Sequence, residues 1–328
     1  MPRLVIPDRS QVRSILEESF ALWGAGLTLA DYIGMWEELA ETEWGRRWFS
    51  WRAWVDDDGC VLSSLKLYRP LVRIEGETTR AAAIGAVYTP RPHRRRGHAA
   101  AMILAVLEEA ERREDHPGFL FTDIGVEYYA GLGFRPLACE DLLGTLPSPR
   151  STRGAPSRVS FRPATLDDID AMARAHERAC ASRAVAVLRD RAHWEFLYQR
   201  AATFFRRLDG SGLGRRFLVA SENGTAAGYV VAVEGGGEWN LREAASYDGS
   251  SDTLASILRA AGTDAREAGS TAGWGWMPRA WAKLVPEWRM KPQPRLRAIP
   301  MMRPLSGREL PESLDRMDHA LLPYLDQF

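Results

Sequence analysis

The sequence predicts an α/β chain of the α+β kind, built as two similar units in tandem. Three observations carry that expectation. Helical and strand-like stretches follow the order helix, antiparallel strands, helix, and this order occurs twice. Residues 146–157, rich in Pro, Ser, Gly and Arg and without apolar periodicity, separate the two occurrences as a linker. The length of 328 residues suffices for two cores of ordinary size. The divisions read as a first unit over 1–146, a linker over 147–157, a second unit over 158–305 and a tail over 306–328.

Residues 8–20 and 29–43 place Leu, Ile, Phe, Met and Trp on one helical stripe and Glu or Arg on the other. Residues 51–55 and 61–68 are strands around Asp56-Asp-Asp-Gly59, where Asp-Gly is a hairpin signal and the aspartates read as turn formers. Residues 71–75 and 80–88 are expected to pair around Gly76-Glu-Thr-Thr79. Residues 99–113, rich in Ala, Leu and Glu, form a helix, and 117–123 form the next strand.

The most informative stretch is Val87-Tyr-Thr-Pro-Arg-Pro-His-Arg-Arg-Arg-Gly-His-Ala99, which joins the strand ending at Tyr88 to that helix. A strand end, a basic turn and a helix start together make an anion site. The first-turn N–H groups lack intrahelical partners, the dipole is positive there, and Gly97 lets backbone approach a ligand. Arg94, Arg95 and Arg96 add charge suited to a diphosphate. The spacing matches neither G-x-x-x-x-G-K-[ST] nor G-x-G-x-x-G. It is R-x-x-G-x-A, carried by Arg94, Gly97 and Ala99.

That pattern resembles the acetyl-CoA pyrophosphate loop of the GNAT acetyltransferases, [RQ]-x-x-G-x-[GA]. Downstream, Val126-Glu-Tyr-Tyr-Ala-Gly-Leu-Gly-Phe134 is similar to the family's short helix with a tyrosine, three residues and Gly-Phe. The resemblance covers residues 1–145. It implies a mixed, mostly antiparallel central sheet flanked by helices, with acetyl-CoA as co-substrate and no metal. Val87, Tyr88, Thr89, Arg94, Arg95, Arg96, Gly97, His98 and Ala99 would hold acetyl-CoA, and Tyr129 would be the general acid. Tyr128 lies about 100° away around the same helix and is expected to pack. In the GNAT arrangement Trp36, Trp48 and Trp51 would face the acceptor as an aromatic wall suited to an amine, core packing being the competing reading. Glu37, Glu38, Glu41 and Glu43 nearby read as a solvated helix face.

The second unit restarts at 159–170 with a short strand and a Thr-capped helix. Residues 216–233 form a hairpin with an Asn-Gly turn, 239–246 the next strand and 251–268 a helix. Where the first unit has its arginines, this one has Asp248-Gly-Ser-Ser-Asp-Thr253, and acids at a helix start compete with a diphosphate. The second unit therefore reads as a degenerate copy that shapes the acceptor pocket or an oligomer contact. Trp274, Trp276, Trp281 and Trp288 are expected to pack between the units, and His176, His193 and His319 lack metal spacing. An active unit followed by a degenerate one resembles the Eis-type aminoglycoside acetyltransferases and related yeast lysine acetyltransferases. In the Eis type a terminal phenylalanine carboxylate reaches the active site, which makes Phe328 a candidate base or amine anchor.

The resemblance implies an amine, on a small molecule or peptide, attacking the thioester directly while a backbone N–H of residues 87–89 stabilises the oxyanion. An acyl-CoA-binding sensor without turnover is the alternative. A formal charge of zero and a pI near 7.0 argue against nucleic acid as partner. The N-terminus has no apolar leader, and no apolar run reaches membrane-spanning length. Cys60, Cys139 and Cys180 are odd in number and widely spaced, as expected of reduced thiols in a cytoplasmic protein.

Overall fold

The computed structural model describes residues 1–147, 159–208, 214–275, 277–315 and 320–321. The first half contains β1 (Arg3–Val5), α1 (Arg9–Trp23), α2 (Leu29–Ala40), α3 (Glu43–Trp48), β2 (Phe49–Val55) and β3 (Val61–Tyr68). It continues with β4 (Leu71–Ile74), β5 (Glu77–Arg80), β6 (Ala82–Tyr88), α4 (His98–Arg112), β7 (Gly118–Thr122), α5 (Glu127–Ala130), β8 (Arg135–Pro136) and β9 (Glu140–Thr145). The second half contains β10 (Val159–Pro163), α6 (Ile169–Cys180), β11 (Val185–Leu188), α7 (Arg191–Arg207), β12 (Gly214–Glu222), β13 (Thr225–Gly235) and β14 (Glu238–Ser246). It ends with α8 (Ser251–Glu267), β15 (Ala272–Gly275), α9 (Trp281–Leu284), β16 (Lys291–Pro294), β17 (Ile299–Arg303) and β18 (Ala320–Leu321).

Two seven-stranded sheets dominate, ordered β1-β2-β3-β6-β7-β17-β8 and β10-β12-β13-β14-β15-β9-β16. In each, neighbours pair antiparallel except at one step, β6–β7 in the first and β14–β15 in the second. The halves also trade strands. β17 enters the first sheet between β7 and β8, and β9 enters the second between β15 and β16. A smaller sheet, β18-β11-β4-β5, bridges the halves through β4 and β11.

Several elements differ from the sequence-based expectation. The helix expected over 29–43 stops at Ala40, because Thr42 caps a new helix: its Oγ1 accepts from Gly45 N (2.9 Å) and donates to Leu39 O (2.8 Å). Gly45 is required at this joint, since a Cβ there would lie 2.1 Å from Leu39 O. Residues 71–75 meet 80–88 only at Leu71–Arg80. Glu75 (φ +47°) and Gly76 (φ +91°) form a two-residue turn, so β4 pairs with β5 and both leave the main sheet, while β6 pairs with β3.

One buried cluster runs through both halves, with Trp44 of α3 stacked on His193 of α7 at 4.3 Å. Glu38, expected to be merely solvated, pairs with Arg206 and Arg207 of α7. Trp288 does not pack between the halves. It lies in the second sheet's own core, over Gly262 of α8, with Trp281 half-buried against the same cluster. Trp276 and His319 fall outside the described residues. No helix among the described residues is long and apolar enough to cross a membrane.

Candidate active site

β6 and β7 run parallel for three pairs, Ala82–Gly118, Ala83–Phe119 and Ile84–Leu120. Beyond them the strands part, and the cause is local. The pairing of β3 with β6 jumps from Lys66–Gly85 to Ser64–Tyr88, so Ala86 and Val87 together face Leu65. Ala86 adopts φ +48°, a left-handed conformation uncommon outside glycine. Such a bulge bends its strand and leaves backbone groups outside the ladder. Ser63 fastens the strand end, its Oγ donating to Tyr88 O (2.8 Å) and lying 3.0 Å from Thr89 Oγ1.

The arginine loop follows this strand end directly. Arg94 Nε donates to Thr89 O at 2.9 Å and folds the loop back on the strand. Arg95 (φ +60°) and Gly97 (φ +81°) make the sharp turn into α4. Gly97 is the cap residue of α4; no side chain caps this helix, and its first turn carries no acid. Nothing lies within 4 Å of where a Gly97 Cβ would stand. The first-turn amides of a fifteen-residue helix are thus open to an anion, with His98 and Ala99 half-buried and Arg95 and Arg96 exposed beside them. These features fit a diphosphate.

Tyr129 stands on α5 beyond the end of β7. It is 7% exposed and lines the cleft between the parted strands, whereas Tyr128 is 40% exposed and does not. Burial, reinforced by Tyr128 and Asp123, pushes the Tyr129 phenol up to about 12. At the cleft mouth Asp123 Oδ1 accepts from Ala298 N (2.6 Å), tying the approach to β17 against the loop after β7.

The cleft has a volume of about 530 Å³ and is lined by Trp23, Trp36, Lys66, Val87, Asp123 and Tyr129, with Arg200 and Arg242 from the second half. Trp36 therefore reaches the site, but its ring face is occupied: Lys66 Nζ lies 3.0 Å from its centroid and 4.9 Å from that of Trp51. Trp51 packs behind Trp36, and Trp48 stacks under the Arg80 guanidinium at 3.4 Å, away from the cleft lining. Lys66 is buried, with Nζ held against the two indole rings. A desolvated cation–π contact contributes about 2 kcal/mol, whereas burying an ammonium costs several kcal/mol. Burial wins, and with Arg200 nearby it holds the Lys66 amine well below the ordinary lysine range. Phe328, proposed from the sequence for its carboxylate, falls outside the described residues.

The second half repeats the backbone of this site. β14 and β15 run parallel for three pairs, from Glu238–Ala272 to Asn240–Trp274, and Arg242 is an extra residue on β14 just beyond them. A cavity of about 460 Å³ opens there, lined in part by Arg178, Arg242, Leu254 and Trp281. Its floor is a buried charge cluster. Glu243 binds Arg189 (2.8 Å), His176 (3.0 Å) and the Tyr229 hydroxyl. Both His176 nitrogens face acceptors, Glu243 and Val187 O, so the ring is an imidazolium.

The comparisons with known proteins agree with this geometry. Residues 11–137 match the family described as acetyltransferase (GNAT) domain. Residues 11–137 are thus similar to a GNAT domain. A probable N-acyltransferase from Enterococcus faecalis V583 has the same fold (TM-score 0.69, 14% identity, 93% of this chain and 73% of that one covered). So does Eis1 from Mycobacterium abscessus (TM-score 0.62, 15% identity, 93% and 74% covered). A Saccharomyces cerevisiae N-myristoyltransferase with bound myristoyl-CoA is also similar (TM-score 0.58, 9% identity, 94% and 84% covered). At these identities the likeness establishes the fold, a mixed α/β arrangement of mostly antiparallel sheets flanked by helices. No curated protein sequence matches the chain.

Sequence reasoning missed Lys66, Arg200 and Arg242 as parts of this cleft. The arginines carry no local signal, because only tertiary packing brings α7 and β14 to it. Lys66 did carry one: it is a lone cation in an otherwise apolar strand segment, Leu65-Lys-Leu-Tyr68.

Proposed function

We propose that this protein transfers an acetyl group from acetyl-CoA to a primary amine of a small molecule or peptide, by direct attack in a ternary complex. The observation that supports it most is the succession, from one strand end, of an open helix start, a bulged strand and a cleft ending at Tyr129. The amides opening α4, with Arg94, Arg95 and Arg96, hold the diphosphate. A backbone N–H within residues 87–89, released by the bulge, donates to the carbonyl oxygen as negative charge develops.

Tyr129, raised to about 12, stays a neutral donor at every working pH. A thiolate with a pKa of about 8.5 is too weak a base to deprotonate it outright. The phenol therefore stabilises the departing sulfur by a hydrogen bond and relays to it a proton from the attacking nitrogen. The second half is a copy without transfer chemistry that contributes Arg200 and Arg242 to the acceptor side. The unpaired Cys60, Cys139 and Cys180 support a reducing, cytoplasmic setting.

The test is thiol release from acetyl-CoA across a panel of lysine, polyamines, aminoglycosides and peptide N-termini. Amine-dependent liberation of free CoA is the expected result. Saturable acetyl-CoA binding without thiol release in any arm would replace the enzyme by a sensor.

A further inference from the structure

Lys66 has no part in the chemistry above, yet it occupies the cleft at a telling register. On β3 its cross-strand neighbours are Trp51 on one side and Gly85 on the other, and Gly85 directly precedes the bulged pair Ala86 and Val87. Leu65 and Leu67 face α4, so the alternation of the strand turns Lys66 and Tyr68 towards the cleft. We propose that Lys66 is the general base of this site, its neutral amine taking the proton from the acceptor ammonium. The proposal rests on the acetyl-transfer reading of the cleft.

The surroundings favour that neutral amine. α2 contributes Tyr32 and Trp36, β2 contributes Trp51, α1 contributes Trp23, and β3 itself contributes Tyr68. Burial holds the Tyr32 and Tyr68 phenols above their ordinary values, so neither supplies an anion. α7 and β14 bring the cations Arg200 and Arg242, while Asp123 stands exposed at the mouth with one oxygen engaged by Ala298 N. Burial first, then Arg200, lowers the lysine.

The composition points the same way. Forty of the 43 basic residues are arginine, and the other two lysines, Lys283 and Lys291, are exposed. A guanidinium stays charged at any working pH, whereas a buried amine becomes a base. The protons balance. One leaves the acceptor ammonium for Lys66 Nζ and passes to solvent. The second leaves the nitrogen after attack and ends on the CoA sulfur through Tyr129.

The experiment uses the full chain with acetyl-CoA and the best amine of the panel. Wild-type kcat/KM for the amine should rise with pH through the Lys66 ionisation. Lys66→Met and Lys66→Arg should each lower kcat by about 100-fold and abolish that limb. Acetyl-CoA affinity should stay unchanged in both, and the folded state of Lys66→Met should be retained. In protein labelled with 13C at lysine Cε, three signals are expected, and the one lost in the Lys66 variants should titrate well below the other two. Turnover within about twofold of wild type with the limb intact, or a Lys66 signal titrating with Lys283 and Lys291, overturns the base. A wild-type protein that binds acetyl-CoA but releases no thiol with any amine overturns the acetyl-transfer reading instead.

Discussion

β6 and β7 part after three parallel pairs, and so do β14 and β15, each time with an extra residue on the first strand just past the last pair. The helices that follow begin differently. At α8, Ser250 Oγ accepts from Asp252 N (3.2 Å) and Thr253 N (3.3 Å), and Asp248 accepts from Ser250 N and the Thr253 hydroxyl. Those donors are satisfied within the chain, and two carboxylates hold the positive end of the dipole. At α4 a glycine leaves the amides open and arginines surround them. A parted strand pair followed by a helix is thus a frame, and the cap decides whether it attracts an anion. The interiors differ too. Around Glu243 one buried carboxylate sits between two cations, whereas Lys66 in the first cleft lies against ring faces.

Breaking the sealed cluster should have the largest effect. Glu243→Gln leaves Arg189 and His176 buried without their anion and should cost about 3–5 kcal/mol in denaturant unfolding. Burial alone would raise Glu243, but Arg189 and His176 outweigh it and hold it at about 2. Its stabilisation is therefore present above the ordinary value of 4.5 and drains as pH falls towards 2. The glutamine variant should lack that acid limb. His176, whose folded value is raised, works in the opposite sense: its contribution is present below 6.5 and fades as pH rises through the raised value.

Tyr129→Phe should lower kcat by about 100-fold with acetyl-CoA binding intact, while Tyr128→Phe changes little. The reverse ranking in steady-state kinetics would transfer the role to the exposed ring. Arg94→Ala and Arg96→Ala together should raise the KM for acetyl-CoA by about 10-fold or more and leave the amine KM nearly untouched. Unchanged acetyl-CoA affinity would show that the open helix start alone holds the diphosphate. Smallest of all, Ser250→Ala should cost about 1 kcal/mol of stability and leave acetyl-CoA kinetics alone. A shift in acetyl-CoA KM would mean that α8 takes part after all.

The legible parts of the site were those written in consecutive residues. The loop from Arg94 to Ala99 and the run Tyr129 to Phe134 each lie within a few consecutive positions, which is what let them be compared with the family's motifs. The environment of Lys66 is assembled from α2, β2, α7 and β14, and no window along the chain contains it. The exchange of β9 and β17 between the sheets was not read from the sequence either, because sheet membership is a property of the partner strand. The two-residue turn at Glu75-Gly76 was hidden in a run of four turn-like residues, Gly76 to Thr79, of which the last three begin a strand instead.

The place of β17 ties the chemistry to the order of synthesis. Tyr129 hangs between β7 and β8, and the strand that joins those two is made of residues 299–303. A nascent chain that has already emitted the arginine loop and both tyrosines still carries β7 with one open edge. It must wait through the whole second half for closure, a contact of long sequence separation and correspondingly slow to form. Residues 1–146 expressed alone would expose the edge Gly118–Thr122, a short apolar strand prone to pair with its own copies.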